Sequence, residues 1–327
     1  MRSINRKEPR EIGGYLEMEE FLGKEYYSGL HKLNLARTSF VWLLRYIDHK
    51  RIFLPEYLCD TVNESAKAAG HTLVPYRLNK SLHPVWGKEG EPAENDILYL
   101  VNYYGQLSED DIISYRDTYS SVIVDNAQAF YDRPVQGVHT IYSVRKFFGV
   151  PDGAYVATDL DINTDDLERD HSEERVRYLV GRLEKTAQEF YGDMRAADDA
   201  FSTEIPRRMS LFTENMLKGI DYEAVRLKRC ANYQTLSRLL PSNNPFNRIE
   251  PVCPFAYPFY HEDGVRLRKY LVEHKIYIPT LWSFLIDDEH DGTLEKDWSE
   301  NILSLPIDQR YDSEDMEFIA DTIRSFG

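Results

Sequence analysis

Near the middle of the chain the sequence reads Ser121-Val122-Ile123-Val124-Asp125-Asn126-Ala127-Gln128-Ala129, an apolar run that ends in polar residues. The β-branched run predicts a short, fully buried strand, of the kind that parallel sheets contain. Asp125 ends this strand, and Gln128 follows three residues later. In open α/β sheets, ligands bind beyond the carboxyl ends of the strands. Asp125 and Gln128 are therefore candidate binding residues.

Patterns typical of strands and helices alternate around this run, from residue 33 to residue 158. Strands are predicted at residues 51–55, 72–76, 96–101, 121–124 and 154–158, and helices at residues 39–47 and 60–69. Gly70 stands where a helix ending at residue 69 would place its C-terminal glycine. Such alternation is typical of an α/β domain with a mostly parallel sheet.

The second half of the chain has a different pattern. A long, heavily charged helix is predicted over residues 164–195, and another helix over residues 211–239. The run Pro-Ser-Asn-Asn-Pro at 241–245 breaks the chain, and we place a domain boundary there. Residues 1–240 are then a large domain. Residues 241–327 read as strand, helix, strand, loop and terminal helix, which predicts a small α+β domain.

Composition limits the classes of function. The 327 residues carry a net charge of -16, and no basic run provides the footprint of a nucleic-acid-binding protein. No apolar run approaches the roughly 18 residues that a membrane span needs. We therefore expect neither nucleic acid nor a membrane as a partner.

The cysteines and the N-terminal sequence predict a cytoplasmic location. Cys59, Cys230 and Cys253 are odd in number and far apart in sequence, which argues against a disulfide framework and against a zinc site. We predict no metal. Residues 1–9 are basic but lack the apolar segment of a secretory signal.

A second motif follows the central run: Tyr142-Ser143-Val144-Arg145-Lys146, and then Pro151-Asp152-Gly153-Ala154. Pyridoxal phosphate (PLP) requires a lysine for a Schiff base, a carboxylate for its pyridine nitrogen, a donor for its ring hydroxyl and a phosphate site. Lys146, Asp125, Gln128 and Ser143 could fill these roles in that order, with backbone amides from a helix start at residues 36–39. Singly, each has an ordinary explanation as a cap, loop or surface residue. Their order and spacing together favour a PLP site.

These segments resemble the DegT/DnrJ/StrS aminotransferases, which are sugar aminotransferases of PLP fold type I. The resemblance extends over most of the chain, and its segments are Val101–Leu107, Val122–Ala129, Tyr142–Lys146, Pro151–Ala154, Ile205–Ser210 and Leu303–Ile307. It implies a fold type I large domain and a small C-terminal domain. It also implies Lys146 and Asp125 as catalytic residues, and a cofactor site formed by Arg37, Thr38, Cys59, Asp125, Gln128, Ser143 and Lys146.

By this resemblance the chain would be a short and divergent member of the family. Several of its positions depart from the family pattern. Arg37 replaces a common threonine, and Cys59 falls where an aromatic commonly stacks on the PLP ring. Ser143 lies three residues before the lysine, whereas the family serine usually lies five before it. Pro206 replaces an asparagine that reaches the neighbouring subunit, although Arg207 and Arg208 are retained as candidates for contact with substrate or with that subunit.

The resemblance implies a homodimer that transfers an amino group, with glutamate as the expected donor and a nucleotide-linked keto-sugar as the expected acceptor. Lys146 would move the proton between the donor's α-carbon and the cofactor. Two alternatives stay open. One is another PLP reaction on an amino acid, such as that of a lyase. The other is a relative that binds PLP or a ligand without turnover.

Overall fold

The computed structural model describes residues 12–201, 205–241, 246 and 248–326. The strands are His31–Leu33 (β1), Arg51–Pro55 (β2), Leu73–Leu78 (β3), Pro84–Val85 (β4), Asp96–Val101 (β5), Val122–Asp125 (β6), His139–Ser143 (β7), Ala154–Ala157 (β8), Ala256–Tyr260 (β9) and Ile302–Pro306 (β10). The helices are Ala36–Leu43 (α1), Asp60–Ala68 (α2), Glu109–Thr118 (α3), Arg177–Glu184 (α4), Tyr191–Asp199 (α5), Leu211–Lys218 (α6), Tyr222–Leu239 (α7), Gly264–Glu273 (α8), Leu294–Asn301 (α9) and Ser313–Arg324 (α10). Among these residues, no helix is long and apolar enough to cross a membrane.

Eight strands form one sheet in the order β1-β8-β7-β6-β5-β2-β3-β4. Five central strands, β3, β2, β5, β6 and β7, run parallel to one another. At one edge β8 pairs antiparallel with β7 and β1 pairs antiparallel with β8, and at the other edge β4 pairs antiparallel with β3. The predicted α/β domain with a mostly parallel sheet is confirmed. Since the central strands are parallel, their carboxyl ends lie at one edge, where Asp125 ends β6 and Ser143 ends β7.

Side chains from both faces of the sheet are buried, which explains the continuous apolar runs in the sequence. In β5, Ile97 and Tyr99 belong to one core cluster, and Leu98 and Leu100 belong to another. Successive residues of a strand point to opposite faces, so the sheet lies between two apolar layers. This packing holds the central strands in a fixed register.

The C-terminal part has its own core around the antiparallel pair β9–β10, with α8 and α10 packed on it. Leu236, in the second half of α7, also belongs to this core. The predicted boundary at residues 240/241 stays a prediction, because residues 242–245 lie outside the described residues, as do the N-terminal residues 1–9.

Three predictions of secondary structure were wrong. The single helix predicted at residues 164–195 is two short helices, because the Phe190 ring fills the space beside Gly181 and the chain turns back between α4 and α5. The helix predicted at residues 211–239 breaks after α6, where Asp221 accepts a hydrogen bond from the Ala224 N–H (3.0 Å) and starts α7. Only two helices were predicted for residues 246–327, whereas a third helix, α9, precedes β10 and buries Trp298.

The turn after Lys146 depends on a glycine. Gly153 has a φ of +120°, and a Cβ there would lie 2.5 Å from Val144 Cγ2 and 3.0 Å from Thr213 Cγ2. Gly153→Ala should therefore lower the free energy of unfolding by roughly 2–4 kcal/mol, through backbone strain and overpacking. Denaturant titration measures this change.

Gly29→Ala is the matched control, because a Cβ at Gly29 meets nothing within 4 Å among the described residues and its φ is not left-handed. Equal stability of the two variants would contradict the role of Gly153.

Candidate active site

A cavity of about 170 Å³ lies at the carboxyl ends of β6 and β7. Six of the seven cofactor-site residues predicted from the sequence line it: Arg37, Cys59, Asp125, Gln128, Ser143 and Lys146. The parallel register explains how the two motifs meet. Asp125 pairs with Ile141, so β7 continues two residues further to Ser143 before the chain turns to Lys146.

Asp125 is a buried carboxyl with two hydrogen-bond donors from its own chain. Its Oδ1 accepts the Ala127 N–H at 2.8 Å, and its Oδ2 accepts the Tyr99 hydroxyl at 2.9 Å. Burial raises the pKa of Asp125, while the Ala127 N–H, the charge of Lys146 and the Tyr99 hydroxyl oppose this shift. A cationic ring nitrogen in the cavity would stabilise the carboxylate further, because opposite charges attract strongly where water is excluded.

Lys146 lies in a turn that begins directly after β7. The Val144 carbonyl accepts N–H bonds from both Phe147 (3.1 Å) and Phe148 (2.9 Å), and this turn directs the chain past the cavity. Lys146 is an exposed residue, and its Nζ lies 5.1 Å from the centroid of the Phe255 ring.

The surrounding protein changes the protonation of this lysine. Desolvation lowers the pKa of Lys146, although Asp125 and Cys59 act in the opposite direction. A lower pKa increases the fraction of neutral amine, which is the form that attacks a carbonyl or accepts a proton.

Gln128 is buried and holds two neighbouring segments together. Its Oε1 accepts the Tyr104 N–H at 3.0 Å, and its backbone carbonyl accepts the Phe255 N–H at 3.2 Å. Within the described part of the chain its side-chain NH₂ makes no hydrogen bond, and the residue lines the cavity. That amide can therefore donate to a ligand oxygen.

The N-terminus of α1 also faces the cavity, through Ala36 and Arg37. Its N-cap residue Leu35 provides no side-chain cap, and the first turn contains no acidic residue. Uncapped amides and the helix dipole favour an anion there.

Charge in the cavity reinforces this preference. Arg37, Arg145 and Lys146 line it together with one acid, Asp125, whereas the whole chain carries a net charge of -16. Arg145 pairs with Asp198 (2.5 Å), so Lys146 and the start of α1 are the features that favour an anionic ligand at this place.

Thr38 is the one predicted cofactor residue that does not line the cavity. Its hydroxyl lies 2.7 Å from Asn34 Oδ1 and 3.0 Å from the Leu35 carbonyl, so it is engaged within its own chain. Arg207 and Arg208 do not line the cavity either. A guanidinium nitrogen of Arg207 lies 4.0 Å from Asp170, and the Arg208 backbone N–H donates to the Glu168 carbonyl at 2.8 Å.

The sequence analysis missed Trp282, which lines the same cavity. Its backbone is left-handed (φ 52°), and its ring packs on Tyr57 with 4.1 Å between centroids. Trp282 thus supplies an aromatic side chain to the cavity, in which Cys59 stands at the position where relatives commonly have an aromatic residue. No motif pointed to Trp282, because it lies more than a hundred residues beyond Lys146 in sequence.

The analysis also missed Tyr99, whose hydroxyl contacts Asp125. One signal could have found it. Val101 and Asp125 end neighbouring strands in register, so a long side chain two residues before Val101 could reach that carboxyl.

The cavity residues fit PLP. This cofactor requires a reactive lysine, a carboxyl, a hydrogen-bond donor and a phosphate site. The cavity offers Lys146 with its lowered pKa, the buried Asp125, and the Gln128 NH₂, which has no partner among the described residues. The start of α1, which has no side-chain cap, completes the set. The described residues include no group of three or more His, Cys, Asp or Glu side chains that could hold a metal ion.

No protein-family model matches the sequence, and neither does any curated protein. Solved structures do match. DesV from S. venezuelae is 18% identical and aligns over 90% of this chain and 84% of its own, with a TM-score of 0.61. Spr1654 from Streptococcus pneumoniae, classed as a sugar aminotransferase and solved in its PLP form, is 13% identical over 90% of this chain and 86% of its own, with a TM-score of 0.59.

A DegT DnrJ EryC1 StrS aminotransferase from Brucella abortus is 16% identical over 94% of this chain and 91% of its own, with a TM-score of 0.54. These similarities bear out the fold that the sequence resemblance implies. The chain therefore has the PLP fold type I architecture of the DegT/DnrJ/StrS aminotransferases.

Proposed function

We propose that this chain is a PLP-dependent aminotransferase. The observation that carries the proposal is the meeting of Lys146, Asp125, Gln128 and Ser143 in one cavity beside the uncapped start of α1. Two segments about twenty residues apart supply these side chains, and parallel pairing of β6 and β7 brings them together.

PLP, when bound, supplies an aldehyde for a lysine and a ring that takes up carbanion charge. We assign Lys146 to the aldehyde and Asp125 to the ring nitrogen. Gln128 would donate to the ring hydroxyl. Ser143 and the amides at the start of α1 would hold the phosphate, because a helix N-terminus stabilises an anion without any particular side chain. The replacement of a common threonine by Arg37 is therefore compatible with phosphate binding.

Lys146 acts as the base and acid of the proposed transfer. Its lowered pKa provides a neutral amine that would accept the proton from the donor's α-carbon and then deliver it to the cofactor. The Phe255 ring lies on one side of Nζ.

Asp125 provides a fixed negative charge. The Ala127 N–H and the Tyr99 hydroxyl orient its two oxygens before any ligand arrives, so little reorganisation is needed when charge develops. Burial raises the pKa of the Tyr99 hydroxyl, which consequently stays protonated and keeps donating.

The finer assignment is a glutamate donor and a keto-sugar acceptor attached to a nucleotide. It is supported by the sequence resemblance and by a structural neighbour classed as a sugar aminotransferase. We further propose a homodimer in which Arg207 or Arg208 lies near the partner's site, and a cytoplasmic location, both in keeping with the sequence predictions.

Replacement of Lys146 should abolish the covalent link to the cofactor. The wild-type protein with PLP should absorb at the violet edge of the visible spectrum, and Lys146→Ala should lose this band. Lys185→Ala is the control, because Lys185 is exposed and pairs only with Glu189 (3.8 Å) among the described residues. A band that survives in Lys146→Ala would refute the assignment.

Asp125→Ala should slow the half-reaction with glutamate by about 10²–10⁴-fold and weaken PLP binding much less, because the charge acts most when carbanion character develops. Tyr99→Phe, which removes one donor to that carboxylate, should slow it by roughly tenfold. Stopped-flow absorbance measures both rates. Exposed Asp161→Ala is the control, and a near-normal rate in Asp125→Ala would remove the role of Asp125.

The acceptor is tested by loading the protein with pyridoxamine phosphate and offering nucleotide-linked 3-oxo and 4-oxo sugars beside simple oxo acids. We expect the violet-edge band to return with a keto-sugar. If only oxo acids restore it, the sugar assignment fails while the aminotransferase assignment stands. Loss of CO₂ or elimination from an amino acid, without transfer, would favour the lyase alternative.

A further inference from the structure

Two of the three cysteines meet in the folded chain, although 22 residues separate them in sequence. The Cys230 thiol donates to the Val252 carbonyl at 3.1 Å, next to Cys253. The Cys253 Sγ lies 3.9 Å from the Arg226 carbonyl, one helical turn before Cys230 on α7. Each thiol thus contacts the backbone beside the other, and the two thiols lie close enough to shift each other's pKa.

We propose that Cys230 and Cys253 form a reversible intramolecular disulfide when the protein meets a peroxide. The pair is separate from the candidate active site, since neither residue lines that cavity. Both thiols are free in the structure, as a reducing compartment requires.

Disulfide formation by a peroxide needs one accessible thiol with a low pKa and a second thiol beside it, and the two cysteines differ in this way. Hydrogen bonding from Cys253 lowers the pKa of Cys230 to about 7, and the charge of Arg226 also lowers it. Burial and the charges of Glu223 and Glu250 act in the opposite direction. The same hydrogen bond, together with burial, raises the pKa of Cys253. Cys230 is half-buried, so it is the accessible nucleophile, and Cys253 is 1% exposed.

The chemistry balances with hydrogen peroxide as the oxidant. The Cys230 thiolate attacks one peroxide oxygen, the O–O bond breaks, and hydroxide leaves to take a proton and form water. Cys230 is then a sulfenic acid. The Cys253 sulfur attacks the Cys230 sulfur, the S–O bond breaks, and the Cys253 proton leaves with the hydroxyl group as a second water. Two thiols are oxidised and one peroxide is reduced.

The bond would form in a segment that reaches the candidate active site. Phe255 follows Cys253 by two residues, packs against the Lys146 ammonium and donates its N–H to the Gln128 carbonyl. Arg229, next to Cys230, donates to the Phe255 carbonyl at 3.1 Å. A disulfide would therefore tie α7 to the segment whose Phe255 ring contacts Lys146.

The test uses the full chain with Cys59→Ser, in which Cys230 and Cys253 are the remaining cysteines. After hydrogen peroxide, we expect the loss of both thiols, a mass lower by two hydrogens, and one tryptic link between the peptides that contain Cys230 and Cys253. Dithiothreitol should restore both thiols. Because the link closes a loop of the unfolded chain, the oxidised protein should also unfold at a higher temperature.

Two further variants in the same background identify the role of each thiol. With Cys253→Ser, peroxide should leave a Cys230 sulfenic acid that dimedone traps. With Cys230→Ser, the buried Cys253 should stay reduced. Oxidation of Cys230 to a sulfinic acid while Cys253 stays a thiol in the parent protein would overturn the proposal, and so would links that form only between chains on a non-reducing gel. None of these readouts requires PLP or activity.

Discussion

A buried carboxyl at the end of a parallel strand is the constraint on which the candidate site depends. Asp125 can be held there because the Ala127 N–H and the Tyr99 hydroxyl satisfy its oxygens and Lys146 lies across the cavity. The register of β6 against β7 fixes how far these groups lie from one another. Apolar layers on both faces of the sheet hold that register, since a slip of one residue would turn buried side chains towards the wrong face.

The same constraint explains the chemistry that we assign. An isolated carboxyl and an isolated amine both shift towards their neutral forms when they are desolvated, and this is the direction of the pKa changes at Asp125 and Lys146. A ligand with a cationic ring nitrogen and an anionic phosphate would place opposite charges beside Asp125 and beside the start of α1. The cavity is thus prepared for a ligand that carries both charges in fixed positions.

Local patterns in the sequence predicted the parts of the fold and of the site that depend on nearby residues. The sequence predicted β2, β3, β5 and β6 and the two short motifs that contain Gln128, Ser143 and Lys146. It did not predict β7, whose parallel pairing with β6 brings the two motifs together. Trp282, which lines the cavity, and Phe255, whose ring lies near Lys146 Nζ, could not be predicted in this way, because tertiary packing brings them there from the C-terminal part. The break between α4 and α5 depends on Phe190, which packs against Gly181, and α7 starts anew where Asp221 accepts the Ala224 N–H.

The most direct measurement of the central claim is the identity of the lysine that carries the cofactor. The purified full chain is incubated with PLP, reduced with borohydride, digested, and mapped by mass spectrometry. The account predicts a single phosphopyridoxyl group, and predicts it on Lys146. Labelling of a different lysine, or no labelling at all, would contradict it.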